Sequence, residues 1–588
     1  MKSVILLFGM LLLGVSSVFG QDMQYVHSQS GDTLVVKDDI EFGNYNTLYL
    51  LMKSDSLAPA TRVYMLKAAG TYSCANNPVS SSTHKTIIMG PQQNIKKGAI
   101  FPPVVCGAYA SGGVNTTGGV NSNFDLLVKN INFSIGNTNG GSGGWAFFNF
   151  GGPNLKLQVD NCILEHTWWC WVGGPPKLST VKFTNSYFVN MDGHSCRRNG
   201  GIVDFNSGSA FLQDTLLVEN CTHVNFQGTA YKFRDGYVVN RAIFNHNDFI
   251  DCAAFVIMNN GDQTNLSITN NIYVNCQLQD FAPVLFTADA GEVDDDQLPM
   301  GLVNLRVDST FTANVGTHGV YVDKNLAYWD PSLANIDSIL NATHVDNRTD
   351  WVSQRIVMNS RTTTLFANHA TYPKLYNGTW LNKKPNFAGT DVLFTTRLAT
   401  LKSYSIACVD TTFGTPLSSW RKSAEASNFI YADFPIPIDL SYNDADLLTA
   451  GLGGFPLGDL GWFPTQLASW NSQAGTEHQK IQAAVNTGTP VSVQTTTQQV
   501  PQKFELQQNY PNPFNPSTVI SYTIGKAGNV TLKVYNVLGQ EVATLVNGYQ
   551  DANVYKVNFN ASGLTSGVYF YQLRSGSNVA SEKMLLMK

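Results

Sequence analysis

The sequence predicts an all-β protein whose larger part is a solenoid of short, stacked strands. A short pattern (apolar, any, apolar, any, Asn, any, any, apolar) recurs within residues 126–276. Its apolar positions alternate with polar ones, which is the period of a half-buried strand. A unit this short cannot bury its apolar face alone, so it must stack on its neighbours. The copies are LLVKNINF (126–133), LQVDNCIL (157–164), VKFTNSYF (181–188), LLVENCTH (216–223), AIFNHNDF (242–249) and LSITNNIY (266–273).

The polar residue that ends each strand is Asn in five copies and His246 in the sixth. Asn tolerates left-handed backbone angles and therefore suits a tight turn. In stacked coils such side chains can hydrogen-bond to the backbone and to one another. We therefore expect a structural asparagine ladder made of Asn130, Asn161, Asn185, Asn220 and Asn270.

This pattern, with its asparagine ladder, resembles the right-handed parallel β-helix of the pectate-lyase-like superfamily over roughly residues 31–330. The resemblance implies a right-handed parallel β-helix domain over residues 21–335. The alternative is an antiparallel sandwich of short strands, although a sandwich gives no reason for Asn to recur at one register.

Length and composition suit a secreted, β-rich protein of several domains. The chain has 588 residues, more than one compact core usually holds. Charged residues make up only 13%, the net charge is −5, and there is no basic block. Nucleic acid is therefore not expected as a partner.

Segments outside the repeats predict an export route and a domain order. Residues 1–20 read as a secretory signal peptide, with Lys2 before an apolar run. Past that run the sequence contains no stretch of membrane length, so no transmembrane segment is expected in the mature chain. Residues 336–471 are interpreted as a C-terminal capping extension packed along the solenoid, with a small separate domain as the alternative. Residues 472–503 are interpreted as a Thr/Gln/Pro-rich linker.

The carboxyl-terminal segment carries the most specific motifs: YPNPFNPS (510–517), NVLGQEV (536–542) and SGVY (566–569). Residues 504–588 strongly resemble the type A sorting domain of the type IX secretion system, a small Ig-like β-sandwich. This resemblance implies the type IX machinery as a partner and a secreted or outer-surface location reached through the periplasm. A carbohydrate-binding sandwich is the alternative.

Aromatic and polar turns supply the candidate ligand-binding residues. Exposed indoles stack on sugar rings, and the run after the second repeat holds three of them. The alternative is that these rings fill the interior of a coil. The candidates are Trp168, Trp169 and Trp171, with Asp192 and His194 in the next polar turn.

Basic side chains in two turns are weak candidates for catalysis. Pectate-lyase-like enzymes use Arg or Lys to abstract a proton beside a uronate carboxylate, and this family property is carried over only as an analogy. No family catalytic motif is matched, and charged turns are usually solvated. The candidates are Arg197, Arg198, Lys232 and Arg234.

An acidic cluster after the last clear repeat is a weak candidate for Ca²⁺. Clustered carboxylates supply the oxygen ligands that Ca²⁺ prefers, although the spacing does not fit a known calcium loop. A solvated loop is the alternative. The residues are Asp289, Glu292, Asp294, Asp295 and Asp296.

Two cysteines are candidates for a disulfide bond. Cys252 and Cys276 occupy equivalent positions in adjacent repeats, which brings their Cα atoms within disulfide range. The alternative is a stack of small, buried apolar side chains.

Two functions remain open from the sequence. The favoured one is a secreted or surface β-helix that binds glycans or supports adhesion. The alternative is a polysaccharide lyase, or less readily a hydrolase, acting on acidic or plant-type polysaccharides. Whether the protein is an enzyme stays uncertain, because neither a lyase nor a hydrolase constellation is visible at fixed spacing.

Overall fold

The computed structural model describes most of the chain, which divides into two compact units, Met1–Val491 and Ser492–Lys588. The described residues are 22–107, 119–137, 146–165, 170–173, 179–191, 201–205, 211–226, 228–233, 237–259, 262–280, 298–306, 316–343, 351–389, 392–407, 436, 438–491, 504–525, 528–550 and 553–588.

The first unit is a solenoid in which successive strands of the chain join three sheets in turn. Its first sheet contains β1 (Val26–Ser30), β2 (Thr33–Val36), β3 (Val63–Met65), β5 (Thr86–Met89), β8 (Leu126–Lys129), β11 (Lys156–Asp160), β14 (Thr180–Thr184), β17 (Phe211–Glu219), β20 (Tyr237–Asn245), β23 (Asp262–Gln263), β24 (Asn265–Thr269), β26 (Gly319–Asp323) and β28 (Leu375–Asn377).

The other two sheets complete each coil. The second sheet contains β4 (Thr71–Cys74), β6 (Val104–Gly107), β9 (Asn132–Asn137), β12 (Ile163–Glu165), β15 (Tyr187–Met191), β18 (Thr222–Phe226), β21 (Asp248–Cys252), β25 (Ile272–Cys276), β27 (Asn325–Tyr328) and β29 (Trp380–Leu381). The third contains β7 (Val120–Ser122), β10 (Ala146–Phe150), β13 (Cys170–Gly173), β16 (Gly201–Phe205), β19 (Tyr231–Phe233) and β22 (Ile257–Asn259).

The coils stack in register, with the repeats aligned residue for residue. Leu157 pairs with Val181, Val181 with Leu216, and Leu216 with Ala242, all in parallel strands. These side chains are buried and form one continuous core. The all-β solenoid prediction is confirmed. The antiparallel sandwich considered for the repeats is wrong, because their strands pair in parallel.

The residue that follows most of the central strands of the first sheet turns the corner in the left-handed conformation. This holds after β8, β11, β14, β17, β20, β24 and β26, where φ lies between 52° and 61°, including the two corners that are not Asn. A side chain in this region is strained unless it is small and polar, which is the physical reason for the recurrent Asn. The corner residues are Asn130, Asn161, Asn185, Asn220, His246, Asn270 and Lys324.

The continuous amide ladder lies one residue beyond the corner that the sequence pointed to. There the side-chain Oδ1 of Asn247 accepts from the Cys221 N–H at 3.0 Å. Asn271 and then Asn325 repeat this contact on the following coils, also at 3.0 Å. Among the corner asparagines, Asn161 Nδ2 donates to Asn130 Oδ1 at 2.6 Å, as the predicted ladder requires, whereas Asn185 donates to the Asp160 carboxylate.

The bore contains a row of stacked rings with a histidine among them. The ring centroids of Phe188, His223 and Phe249 are 4.9 Å and 4.2 Å apart, and Tyr273 continues the row. The Nδ1–H of His223 donates to the Asp248 carbonyl at 3.0 Å, so its Nε2 accepts from the Tyr231 hydroxyl at 2.9 Å. Because the ring is completely buried, its pKa falls to about 3.

Short helices flank the strands. They are α1 (Asp39–Phe42), α2 (Thr47–Ser54), α3 (Ile336–Thr343), α4 (Ser360–Ala367), α5 (Val392–Ala407), α6 (Pro464–Asn471) and α7 (Ala474–Thr487). Helix α2 packs against the strands at the amino-terminal end of the solenoid, and α7 covers Tyr321 on the outer face of the first sheet. The interpretation of residues 472–503 as a linker is therefore wrong over α7, whose apolar side chains pack on the solenoid. Among the described residues, no helix is both long enough and apolar enough to cross a bilayer.

Residues 438–463, here called the strap, cover the outer face of the second sheet. Their apolar side chains, such as Leu440 and Leu457, pack against Ile250 and Ile272. Beneath them the buried Lys96 Nζ lies 2.5 Å from the Asp459 carboxylate. Burial raises the pKa of Asp459 although Lys96 opposes the rise. Because an unpaired charge here would be costly, this ion pair fixes the position of the strap.

The second unit is a small antiparallel β domain. One sheet contains β30 (Glu505–Leu506), β31 (Ser517–Ile524) and β34 (Asn553–Asn560). The other contains β32 (Gly528–Tyr535), β33 (Glu541–Gln550), β35 (Gly567–Ser575) and β36 (Asn578–Leu586). Alternate side chains from both sheets form one core, as expected for two facing sheets.

The buried His223 makes stability of the solenoid pH-dependent. It stays neutral in the folded state down to a pKa of about 3, whereas the unfolded chain protonates near its ordinary value of 6.5. The unfolded state therefore binds more protons, and stability falls as pH drops from about 6.5 towards 3, by up to about 1.4 kcal/mol per pH unit.

We expect His223→Phe to remove this component of the pH dependence. Urea unfolding followed by circular dichroism at several pH values between 6.5 and 4 measures it, with the exposed His369→Gln as control. Parallel pH profiles for the wild type and His223→Phe would contradict the assignment.

Candidate functional site

An open cleft lies at the amino-terminal end of the solenoid. Its volume is about 420 Å³, within the usual range of small-ligand sites, roughly 300–1,000 Å³. One side is formed by α2 and the residues that follow it, and the other by residues 79–86. The cleft is therefore large enough for one or two sugar rings.

A buried ion pair forms the floor of the cleft. Asp55 caps the end of α2, and its Oδ2 lies 2.7 Å from the Nε of Arg62. Arg62 also donates to the Asp32 carbonyl at 3.1 Å, and the Tyr64 hydroxyl donates to Asp55 at 3.1 Å. Burial and the neighbouring Asp55 charge raise the pKa of Tyr64, so its hydroxyl stays protonated. The floor is thus a fixed polar surface.

The opposite wall is rich in hydroxyl groups held by local hydrogen bonds. The Ser81 N–H donates to Thr86 Oγ1 at 2.8 Å, and the Thr83 N–H donates to Ser81 Oγ at 3.2 Å. The His84 Nε2–H donates to the Ala58 carbonyl at 2.7 Å and ties this wall to the other side. Ser82 remains exposed at the rim.

The cleft has a positive charge balance and an aromatic edge. Lys53 lies with its Nζ 5.7 Å from the ring centroid of Tyr49, and Lys85 is exposed on the opposite side. Asp55, the only acidic residue of the lining, is neutralised by Arg62. The site therefore offers hydroxyl donors and acceptors, two amines and an aromatic ring, which are groups that bind polar ligands.

A second polar cluster lies beneath α7. Asn245 Nδ2 donates to Glu219 and to Glu477, each at 2.9 Å, and His478 Nε2 lies 2.6 Å from Glu219. The hydrogen bond with Glu219 raises the pKa of His478. Burial raises the pKa of Glu477, but the attraction to His246 and the hydrogen bonds from His246, Asn245 and Trp470 together outweigh it, and the net shift is downward. Both carboxylates are buried, so this cluster anchors α7 and does not form an accessible site.

The prediction that Trp168, Trp169 and Trp171 contact a sugar is wrong for Trp171. Trp171 is completely buried in the bore, with its ring centroid 4.9 Å from that of Phe147. Its indole N–H donates to Met191 Sδ at 3.2 Å. The alternation of β13 turns this ring inward, so Trp171 cannot stack on a sugar. Trp168 and Trp169, and the polar candidates Asp192 and His194, lie outside the described residues.

The catalytic candidates are not brought together in the described residues. Lys232 is on β19 and completely buried, which removes it as a base for a bound polysaccharide. Arg197, Arg198 and Arg234 lie outside the described residues, so their role stays a prediction.

The calcium prediction also falls outside the described part of the chain. Asp289, Glu292, Asp294, Asp295 and Asp296 all belong to the undescribed segment 281–297. Among the residues that the structure does describe, no group of His, Cys, Asp or Glu is arranged to hold a metal ion. Ca²⁺ binding therefore stays a prediction.

The paired cysteines of adjacent coils are register partners in the structure. Cys252 lies directly opposite Cys276 in the parallel ladder, and both are free thiols buried in the core. Burial, together with the neighbouring thiol, raises the pKa of Cys252. This arrangement agrees with the alternative of stacked, small apolar side chains.

Sequence reasoning missed the cleft. The signal available was the polar run Ser80–Lys85, which follows an entry strand and contains four hydroxyl residues. Its partner wall lies some thirty positions earlier, at Tyr49 and Lys53, and no periodic pattern links the two segments. Tertiary packing alone brings them together.

Comparison with known proteins identifies the second unit. Residues 508–587 match the family model described as the secretion system C-terminal sorting domain. No curated protein matches the chain. The matched domain indicates that the protein is exported by the type IX secretion system and is secreted or attached to the cell surface.

The contribution of the buried Asp55–Arg62 ion pair to stability can be measured. Asp55→Asn leaves the Arg62 guanidinium buried without its counter-charge, which we expect to lower the free energy of unfolding by about 3 kcal/mol. Urea denaturation at neutral pH measures this change. The matched control is Asp32→Asn, whose carboxylate is exposed and which should cost less than about 0.5 kcal/mol. Equal stability of the two variants would contradict the account of the floor.

Proposed function

We propose that the protein is a non-catalytic, glycan-binding solenoid displayed on, or released from, the cell surface, and that the amino-terminal cleft is its binding site. The observation that carries this proposal is the cleft itself, with hydroxyl groups, two lysines and a tyrosine ring around about 420 Å³ of open space. Because the protein is exported, its cleft can contact glycans outside the cell.

The chemistry of the lining favours a saccharide over an apolar ligand. Sugar hydroxyls need both donors and acceptors, which Ser81, Ser82 and Thr83 supply along one wall. Tyr49 offers a ring face for the C–H groups of a sugar. Lys53 and Lys85 add positive charge, which favours sugars that carry carboxylate groups.

The solenoid supports this interpretation through the resemblance of its repeats to the pectate-lyase-like superfamily. That superfamily also supports the enzymatic alternative, a lyase or hydrolase of acidic polysaccharides. The cleft favours binding, because its only carboxylate is bonded to both Arg62 and Tyr64 and is not free to accept a proton from substrate.

Titration of the purified chain with neutral and uronate oligosaccharides, followed by calorimetry, tests the proposal. We expect binding of a uronate oligosaccharide that Tyr49→Ala and Lys85→Gln each weaken about tenfold, a loss of roughly 1.4 kcal/mol. The control is Lys156→Gln, an exposed lysine outside the cleft. Absence of binding across the panel, or binding that both cleft variants leave unchanged, would refute the proposal.

The same samples distinguish the enzymatic alternative. Incubation with uronate polymers while absorbance is recorded reveals unsaturated lyase products. A rise in absorbance that Arg197→Ala or Arg234→Ala abolishes would favour the lyase over the non-catalytic binder.

We also propose that export proceeds by a signal peptide at residues 1–20 and a periplasmic intermediate. Removal of residues 504–588 should then leave the solenoid in the periplasm of cells that carry the type IX system. Fractionation and immunoblotting measure this, with the full-length chain as control. Unchanged delivery of the truncated chain to the surface or medium would contradict the route.

A further inference from the structure

The four-stranded sheet of the sorting domain has an outer face that is not uniformly polar. Along β35 the side chains of Tyr569, Tyr571 and Leu573 point into the core, as their burial shows. The alternate residues face outward, and among them Phe570 remains 41% exposed. An aromatic ring on an outward position of a sorting domain requires an explanation.

The neighbouring strands extend this apolar area. Phe570 lies directly opposite Tyr535 of β32, and Val568 lies directly opposite Leu585 of β36. Because opposed residues share a face, these four side chains cover the same end of the sheet. At the other end, the outward side chains are mainly polar, for example Gln572 opposite Ser581, and Val579 lies opposite Arg574.

The turn that follows Tyr535 adds two more apolar side chains. Val537 is 67% exposed and Leu538 is 78% exposed. The turn is nonetheless firmly held, since Asn536 Oδ1 accepts from the N–H groups of Leu538 and Gln540, both at 3.0 Å. The Asn536 N–H donates in turn to the Gln540 carbonyl at 2.9 Å. The two side chains therefore project from a rigid turn.

Charges of both signs surround this area, with lysines in excess: Glu541 lies directly opposite Tyr535, and its carboxylate is 2.8 Å from Lys533 Nζ. Lys533 precedes Tyr535 by one outward position, and Lys583 lies directly opposite Phe570. The matched residues 508–587 contain five lysines and arginines against three aspartates and glutamates, whereas the whole chain has an acidic excess. An apolar centre with a charged rim has the composition of a protein interaction site.

We propose that this area, the sorting patch, formed by Tyr535, Val537, Leu538 and Phe570, docks into an apolar recess with an acidic rim on a protein of the type IX export machinery. Residues 508–587 match a family of sorting domains, so the folded surface of this domain must carry a feature that the export machinery recognises. The rigid turn lowers the entropy lost on docking, and large exposed apolar side chains supply most of the affinity.

A protein partner fits this surface better than a lipid surface or a second copy of the domain. The patch is small and sits at one end of a sheet, and the excess of lysine over glutamate around it opposes pairing of two copies. Selection of cargo also requires discrimination between domains, which shape-complementary contact with a protein provides.

The test is export of full-length variants from cells that carry the type IX system. Val537→Ser with Leu538→Ser, and separately Phe570→Ser, should lower the exported fraction about tenfold, as expected when one interface anchor is lost. The matched control is Val579→Ser, which is 49% exposed on the same face but at its opposite end and should export normally. Protease resistance of the purified chains confirms that each variant is folded.

Three outcomes would overturn the proposal. The first is normal export of the folded patch variants. The second is an equal loss of export in Val579→Ser, which would show that the machinery recognises the whole outer face of the sheet and not the patch alone. The third is that the wild-type chain forms a dimer in size-exclusion chromatography, whereas the patch variants are monomeric and are still exported normally. That result would show that the patch binds a second copy of the chain. None of these depends on whether the amino-terminal cleft binds a glycan.

Discussion

Backbone hydrogen bonding between equivalent residues of successive coils is the interaction on which the rest of the solenoid depends. It requires that each coil return to the same point with the same register, because a shift of one residue would turn the whole apolar row outward. In the repeats from β8 to β26, the left-handed corner at residues such as Asn130 and Asn270 makes that return possible. The side chain after the corner then satisfies backbone groups of the neighbouring coil through Asn247, Asn271 and Asn325.

A rigid stack of this kind leaves its function to the elements attached to it. Helix α2 and residues 79–86 enclose a cleft at the amino-terminal end, and the strap and α7 cover outer faces that would otherwise expose apolar side chains. Buried charges hold these additions in place: Asp55 with Arg62 below the cleft, and Lys96 with Asp459 below the strap. The sorting domain is a separate unit with its own core, which agrees with its separate role in export.

The sequence predicted the repeating part well because one physical rule generates it. Alternation identified the inward rows, and the need for a left-handed corner identified Asn130 and its equivalents. It did not predict the second ladder at Asn247, Asn271 and Asn325, because periodicity does not reveal which of two adjacent polar side chains faces the next coil. It also placed Trp171 at a ligand site although the bore at that coil is wide enough for an indole. The cleft escaped prediction because its two walls are joined by tertiary contacts such as that between His84 and Ala58.

The most direct test of the in-register stack is a distance between spin labels on its outer face. Val63 and Leu217 lie on one outward row, connected through the register partners Ile87, Leu127, Gln158 and Lys182. Five strand spacings of about 4.8 Å predict a backbone separation of about 24 Å, and the pair Ile87 and Leu217 should be about 5 Å shorter. Electron–electron double resonance that finds narrow distributions with this difference would support the account. A broad distribution, or a difference unrelated to one strand spacing, would contradict it.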